Sequence, residues 1–331
     1  MKLVTFSLNT PLGAVERVGA LRGESVVDLS AVYAWWLHRR GVGAATALAE
    51  SIIPPDMAEF LSRWPMSREA AETALSFADD LDHEAVSSFG ARAIYRVSEY
   101  RLCTPLRPRR LKDYLVYEAH KKQAMAARGL EMPELWYQMP TYTNRNHCGL
   151  ADPGQDIVWP SYSQRLDFEF ELALVIARAG RDIAAADAMD YVAGITIYND
   201  FSARDIQADE GRIGAGPGKS KDFDYGNVLG PCIVTLDEIN PHDITMILRV
   251  DGREWSRGHT SGMKFSWPQI VENASRGETI FPGDVFASGT MDGGCCLELD
   301  RTLEPGMVIE MEAVGIGILR NRIISAPRNE R

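Results

Sequence analysis

Residues 166–176 read LDFEFELALVI, and the fold turns on how that stretch is taken. Asp167, Glu169 and Glu171 fall on every second position, with Phe168, Phe170 and Leu172 between or beside them. A period of two is that of a β-strand, whose successive side chains point to opposite faces. Beyond Glu171 both faces turn apolar, so the strand runs into a core with its acids still attached. Glu169 and Glu171 are then expected on one face, about 7 Å apart along the backbone, with Asp167 on the same side nearer the start. Carboxylates taken into a core are costly unless a cation or a proton neutralises them. A half-exposed strand with a wet acidic face would explain an isolated E-x-E, but not the phenylalanines and the apolar run around this one.

A second polar cluster follows in GITIYNDFSARDIQ, residues 194–207, an apolar strand ending at Asp200 and succeeded by Ser202, Arg204, Asp205 and Gln207. Strand ends deliver polar groups to loops, where binding residues concentrate. Read alone, Asp200 suits a helix or turn cap, and Arg204 suits a structural ion pair. Taken with Glu169 and Glu171, Asp200 completes a three-carboxylate, all-oxygen set of the kind that holds hard Mg²⁺, Mn²⁺ or Ca²⁺ rather than zinc.

Around these motifs the texture of the 331-residue chain changes once. Residues 1–95 mix short Gly-punctuated strands (KLVTFSL, RVGALRG, ESVVDLS) with three helices: LSAVYAWWLHRRG, capped by Ser30 and ended by Gly41, then DMAEFLSRW and SREAAETALSFADDL. Residues 96–110, with Pro105 and Pro108, read as a linker. Residues 111–331 are rich in β-branched runs, including LDFEFELALVIA, YVAGITIYND and MVIEMEAVGIGILRN, interrupted by few helices (YLVYEAHKKQAMAARG, AMDYVAG, SWPQIVENAS). The predicted class is α+β and β-rich, a rolled sheet or barrel rather than a doubly wound sheet.

Bulk composition narrows the functions. Hydrophobic content of 45% and charged content of 24% suit a globular domain with an ample core. No apolar run reaches membrane-spanning length and the first residues read as a strand, so no membrane partner and a cytoplasmic location are expected. A net charge of −11 disfavours nucleic acid, while a small anionic substrate needs only a few local cations. The five cysteines lack CxxC spacing, which indicates neither a disulfide framework nor a zinc site, and Cys295–Cys296 read as two small residues in a strand. GRIGAGPGKSK, residues 211–221, is Gly-rich but lacks Walker spacing.

The ordered series DFEFELALVI, YNDFSARDIQ, FASGT and LELDRTLEPGMVIEMEAVGIGILRNRI, spread over residues 100–325, resembles the fumarylacetoacetate hydrolase family. The leading VGALRGESVVDLS resembles the N-terminal domain of its longer bacterial members. The resemblance implies a mixed β-roll catalytic domain behind a smaller α/β domain, a homodimer, and one divalent cation per subunit, Mg²⁺ first, with Mn²⁺ or Ca²⁺ as alternatives. It implies Glu169, Glu171 and Asp200 as metal ligands, and Asp113 as a fourth, seven residues before a general base, His120. Short members place a Glu three residues after that His, where this chain has Gln123; the implied partner is therefore Glu298 in the LEL strand. Arg204, Gln207 and a lysine are implied as donors to developing negative charge. GPGKSKDF offers Lys219 and Lys221, and the KDF pattern selects Lys221. Tyr142 and Thr290 match substrate-contacting positions, and Arg128 is a further substrate-binding candidate. A tyrosine that fumarylacetoacetase carries after its Gln is matched near Gly211, which argues against fumarylacetoacetate itself as the substrate.

The function expected is a metal-dependent hydrolase cleaving a carbon–carbon bond in a β-diketo acid, an acylpyruvate or fumarylacetoacetate-like compound of aromatic or amino-acid catabolism. The same site would serve an oxaloacetate-type decarboxylase, a tautomerase or a sugar-acid dehydratase or hydrolase. From another class, a non-catalytic, metal-stabilised binding protein would keep the acids without turnover.

Overall fold

The acid-bearing stretch forms two strands, not one, in a computed structural model that describes residues 1–82, 84–87, 90–126 and 129–326. Leu166–Asp167 pairs antiparallel with Ser202–Ala203; the ladder breaks at Phe168 and Glu169 and resumes as Phe170–Ile176. The expected alternation therefore does not run unbroken, and Asp167 belongs to a different pairing from Glu171.

Phe170–Ile176 lies between Val192–Asp200 and Asp284–Ala287, antiparallel to both. Asp284–Ala287 pairs parallel with Arg110–Tyr114, which in turn pairs antiparallel with Tyr142–Asn144. On the other side, Val192–Asp200 pairs with Asn227–Thr235, and that strand with Lys2–Thr10. The order then continues through Gly13–Arg22, Ser25–Asp28 and Ile94–Arg96; with Arg101–Leu102 paired to Lys2–Thr10 and Leu150–Ala151 to Asn227–Thr235, twelve strands form one sheet. A second sheet of five strands runs Arg253–His259, Thr245–Val250, Val308–Ala313, Gly317–Ile324 and Ile157–Val158. The class is α+β and β-rich.

Every residue of Phe170–Ile176 is buried, because both faces of the strand are covered. Phe170, Leu172, Leu174 and Ile176 enter a core shared with Met246 and Leu248 of the second sheet and with Trp267 and Ile270 of helix Trp267–Ser275. Ala173 and Val175 enter another core with Phe60, Leu61, Ala71 and Ala74. Those last four come from helices Met57–Ser62 and Met66–Ala78. The texture change near residue 95 is thus crossed by a continuous sheet and a shared core. Among the described residues no helix is long and apolar enough to cross a membrane.

Several local expectations are corrected. Helix Leu29–Arg39 is capped by Asp28, whose carboxylate accepts the Ala31 N–H at 3.0 Å, rather than by Ser30. The helix carrying His120 begins at Glu118 rather than at Tyr114, because Arg110–Tyr114 is recruited as a strand. AMDYVAG gives a 3-10 helix, Ala185–Tyr191. Cys296–Leu299 is a single helical turn rather than a strand, with Cys295 at its N-cap. The cause is tertiary: the Asp167 carboxylate accepts the N–H groups of Cys296 (2.7 Å) and Leu297 (3.2 Å), which no residue local to that turn provides.

Candidate active site

Three acids converge where the central strands end. Asp113 on Arg110–Tyr114, Glu171 on Phe170–Ile176 and Asp200 at the end of Val192–Asp200 each present a carboxylate oxygen within 4.8 Å of the others, and all three are buried. Glu171 is fixed by the Gly289 N–H at 2.9 Å and the Thr290 hydroxyl at 3.4 Å. Gly289 is required there: its φ is +84°, and a Cβ would sit 2.3 Å from the Tyr114 carbonyl oxygen. Glu169, which the resemblance also assigns as a ligand, stands outside this trio. One of its oxygens is 2.5 Å from Lys221 Nζ and the other 2.8 Å from Arg204 Nη1.

Three buried cations are threaded among the acids. Lys221 Nζ also donates to Asp200 Oδ2 at 2.6 Å. Arg145 donates to Asp113 Oδ2 at 2.5 Å and to Asp200 Oδ2 at 2.9 Å. Arg204 donates to Asp167 Oδ2 at 2.8 Å and to the Gln207 side-chain oxygen at 2.9 Å. Leaving His120 and Glu298 aside as a pair, five buried carboxylates (Asp113, Asp167, Glu169, Glu171, Asp200) face three buried cations (Arg145, Arg204, Lys221). Two negative charges are left over.

That excess is visible in the acids. Burial pushes the Asp113 carboxyl up to about 6, with Asp200 adding to the push against the pull of Arg145. Burial, then the charges of Asp113, Glu169 and Asp200, hold the Glu171 carboxyl well above the usual range. Burial acts on Glu169 too, but Lys221 and Arg204 overcome it and hold its carboxyl low. Asp113 Oδ1 and Asp200 Oδ1 are buried with no hydrogen-bond partner. Unpartnered oxygens on an all-oxygen set carrying two surplus negative charges fit a hard divalent cation.

His120 stands beside the acids. Its Nε2 lies 4.0 Å from Glu169 Oε1, and its Nδ1 lies 3.2 Å from Glu298 Oε1. The latter contact is close but not aligned as a hydrogen bond, so Nδ1 has no hydrogen-bond partner. Glu298 Oε2 accepts the Gly294 N–H at 3.0 Å, which fixes the carboxylate. Lys221 reaches the cluster, whereas Lys219 is exposed and donates to the Asp222 carbonyl at 3.1 Å. Gln207 is half-buried at the edge. Tyr142 does not join: paired with Tyr114, its hydroxyl takes a hydrogen bond from Lys112 at 3.1 Å, on the face of Arg110–Tyr114 opposite Asp113. Arg128 lies outside the described residues. Two organising residues escaped the sequence reading. Arg145 sits in the same MPTYTNRNH stretch as Tyr142, and its only local signal was a cation three residues further on. Asp167 was visible in the D-x-E-x-E pattern, but its task, holding Arg204 and the turn after Cys295, depends on residues far away in sequence.

Comparison with known proteins fits this geometry. The family model described as the C-terminal domain of fumarylacetoacetate (FAA) hydrolase matches residues 111–324, which hold every acid and cation described above. An uncharacterized protein of Pyrococcus abyssi is 34% identical over 209 residues, 63% of this chain and 87% of that one. Oxaloacetate tautomerase FAHD2A, mitochondrial, of Bos taurus is 35% identical over 187 residues; the match covers 56% of this chain and only 59% of the tautomerase. Among solved structures, maleylpyruvate hydrolase from Sphingobium sp. SYK-6 in complex with manganese(II) ion and pyruvate superposes with a TM-score of 0.69 at 21% identity, covering 99% of this chain and all of that one.

Proposed function

The chain belongs to the fumarylacetoacetate hydrolase family, and from that premise we propose that it is a divalent-cation-dependent hydrolase cleaving the carbon–carbon bond between two carbonyls of a small β-diketo acid. The observation that carries this reading is the buried His120, with Nδ1 beside Glu298 and Nε2 turned toward the acid cluster. A base with a carboxylate beside one nitrogen and the other nitrogen open is the arrangement that activates water.

Asp113, Glu171 and Asp200 would hold the cation, Mg²⁺ or Mn²⁺, with Glu169 on its border. Bound there, it supplies a Lewis acid for the substrate's oxygens and a counter-charge for the enolate that departs. His120 Nε2 takes the proton from water, and Glu298 stabilises the imidazolium that results. Gly294 keeps Glu298 in place during that transfer. Lys221 and Arg204 present N–H groups to oxygen where charge builds, each donor being worth about 3 kcal/mol. Gln207 orients Arg204. Arg204 Nη2 and Arg145 Nη1 carry buried N–H groups without partners, which suits an anionic substrate. Residues 111–331 form the catalytic portion in this reading, and the protein would act as a homodimer, as the family resemblance implies.

A second reading, oxaloacetate tautomerisation, is favoured by the 35% identity to the bovine tautomerase. There His120 would take a proton from carbon instead of from water. The deciding experiment incubates Mg²⁺- or Mn²⁺-loaded protein with a panel of acylpyruvates and with oxaloacetate in ¹⁸O-labelled water, and identifies products by mass spectrometry. Hydrolysis yields two acids, one carrying new ¹⁸O in its carboxylate. Loss of enol oxaloacetate without chain cleavage supports the tautomerase. Cation binding without turnover of any oxo acid refutes both.

A further inference from the structure

A second constellation of metal-ligand type lies beside the acid trio. A ring nitrogen of His120, Cys295 Sγ and a carboxylate oxygen of Glu298 all fall within 4.8 Å of one another. His120 and Cys295 are buried, and the Glu298 side chain is 4% exposed. Nδ1 of His120, on a side chain more than nine-tenths buried, lacks a hydrogen-bond partner although Glu298 Oε1 is 3.2 Å away. That separation matches the nitrogen-to-oxygen edge of a tetrahedron around zinc, about 3.3 Å for bonds of about 2.0 Å.

The donor set differs in kind from the acid trio. One thiolate, one imidazole and one carboxylate make a borderline-soft site that suits Zn²⁺ and not Mg²⁺. Its supports are already in place, as ligand-orienting hydrogen bonds should be. Gly294 N–H holds Glu298 Oε2 at 3.0 Å. Asp167 takes the Cys296 N–H at 2.7 Å and so fixes the turn that presents Cys295. Cys295 is buried, and the charges that act on it most strongly are Asp167, Glu298 and Glu169, with Arg204 opposing them.

We propose that His120, Cys295 and Glu298 form a zinc site, separate from the hard-cation site, and that filling it switches His120 off. On binding, the Cys295 thiol passes its proton to solvent as the zinc–sulfur bond forms, and no electrons change hands. Zinc on Nδ1 leaves the imidazole's one proton on Nε2, which then has no lone pair to accept another. The three protein ligands leave the fourth position of the tetrahedron to water. The switching rests on the general-base reading of His120 given above; the site does not.

Co²⁺ reports thiolate ligation through a near-ultraviolet sulfur-to-metal absorption band, so it is titrated into full-length protein already saturated with Mg²⁺. The expected result is a stoichiometric band that Zn²⁺ bleaches, that disappears in Cys295→Ser and that persists in Cys148→Ser, a change at the exposed cysteine. With Mg²⁺ kept saturating, stoichiometric Zn²⁺ should lower wild-type turnover by roughly 10²-fold or more, the scale of a lost general base. In Cys295→Ser the ratio of turnover with zinc to turnover without it should stay near one, whatever the zinc-free rate of that variant. No band in the wild-type protein overturns the site without recourse to any variant, and so does a band that survives Cys295→Ser. A cysteine-dependent band with zinc-insensitive turnover upholds the site and overturns the switch. Were no oxo acid turned over at all, the band alone would still decide the site.

Discussion

Arg145→Met removes a buried bridge between two acids of the cluster. The Arg145 side chain is 4% exposed and spans Asp113 at 2.5 Å and Asp200 at 2.9 Å. Methionine keeps much of the length and apolar bulk, so the loss is mainly charge and hydrogen bonds. Surplus negative charge rises from two to three. Removing one partner of a buried ion pair costs about 3–5 kcal/mol. For a chain of this size that corresponds to a melting temperature lower by about 4–7 °C in chelator at neutral pH. The same deficit should make a divalent cation more welcome. One further unit charge facing a dication at about 4 Å, with an effective dielectric near 20, is worth up to about 8 kcal/mol. The rise in melting temperature on adding saturating Mn²⁺ should therefore exceed the wild-type rise by several degrees. Scanning calorimetry in EDTA and in MnCl₂ measures both quantities. Arg322→Met, which breaks an exposed pair with Asp156, is the control and should shift neither. Adding Asp113→Asn to Arg145→Met should restore part of the loss in chelator, because one of the stranded charges is then gone. The reasoning fails if Arg145→Met melts with the wild type in EDTA, or if Mn²⁺ raises both proteins equally.

Glu298→Gln should cut turnover by roughly 10²-fold or more while leaving the melting temperature nearly unchanged, since it removes only the carboxylate beside His120 Nδ1; wild-type kcat would contradict an orienting role. Lys221→Met should lower kcat by about 10²-fold and Lys219→Met should not, because only the former reaches Glu169 and Asp200; the opposite ranking in steady-state assays would move the donor role to Lys219. In metal-free protein burial and Asp200 push the Asp113 carboxyl up to about 6, and burial holds that of Glu171 well above its usual range, so the unfolded chain ionises first. Their contribution to metal-free stability therefore falls as pH rises from the ordinary carboxylate range through about 6. A bound cation keeps them ionised at no such cost, and the Mn²⁺-induced gain in melting temperature should grow from about pH 5 to about pH 7. A gain that is flat across that range would show that these acids do not hold the ion.

The period of two in LDFEFELALVI, the apolar run into Asp200 and the ordered motifs behind them determined, without coordinates, that this is a β-rich member of the fumarylacetoacetate hydrolase family carrying buried acids. Those signals are local: a strand's alternation is set by its own backbone, and motif order is read along one dimension. What the acids meet is not local. The ladder break at Phe168–Glu169 sends Glu169 to Lys221 and Arg204 while Glu171 joins Asp113 and Asp200, and only the pairing of strands far apart in sequence decides that division. Asp167 turns CLEL from an expected strand into a helical turn through hydrogen bonds across the chain, and thereby sets Glu298 and Cys295 beside His120. Register with Tyr114 carries Tyr142 to the far face, and Arg145, silent in the sequence, becomes the bridge between two acids. Residue types and periodicity state what must be buried; which charges share that burial follows only from packing, because a Coulomb interaction depends on distance in space and not on separation along the chain.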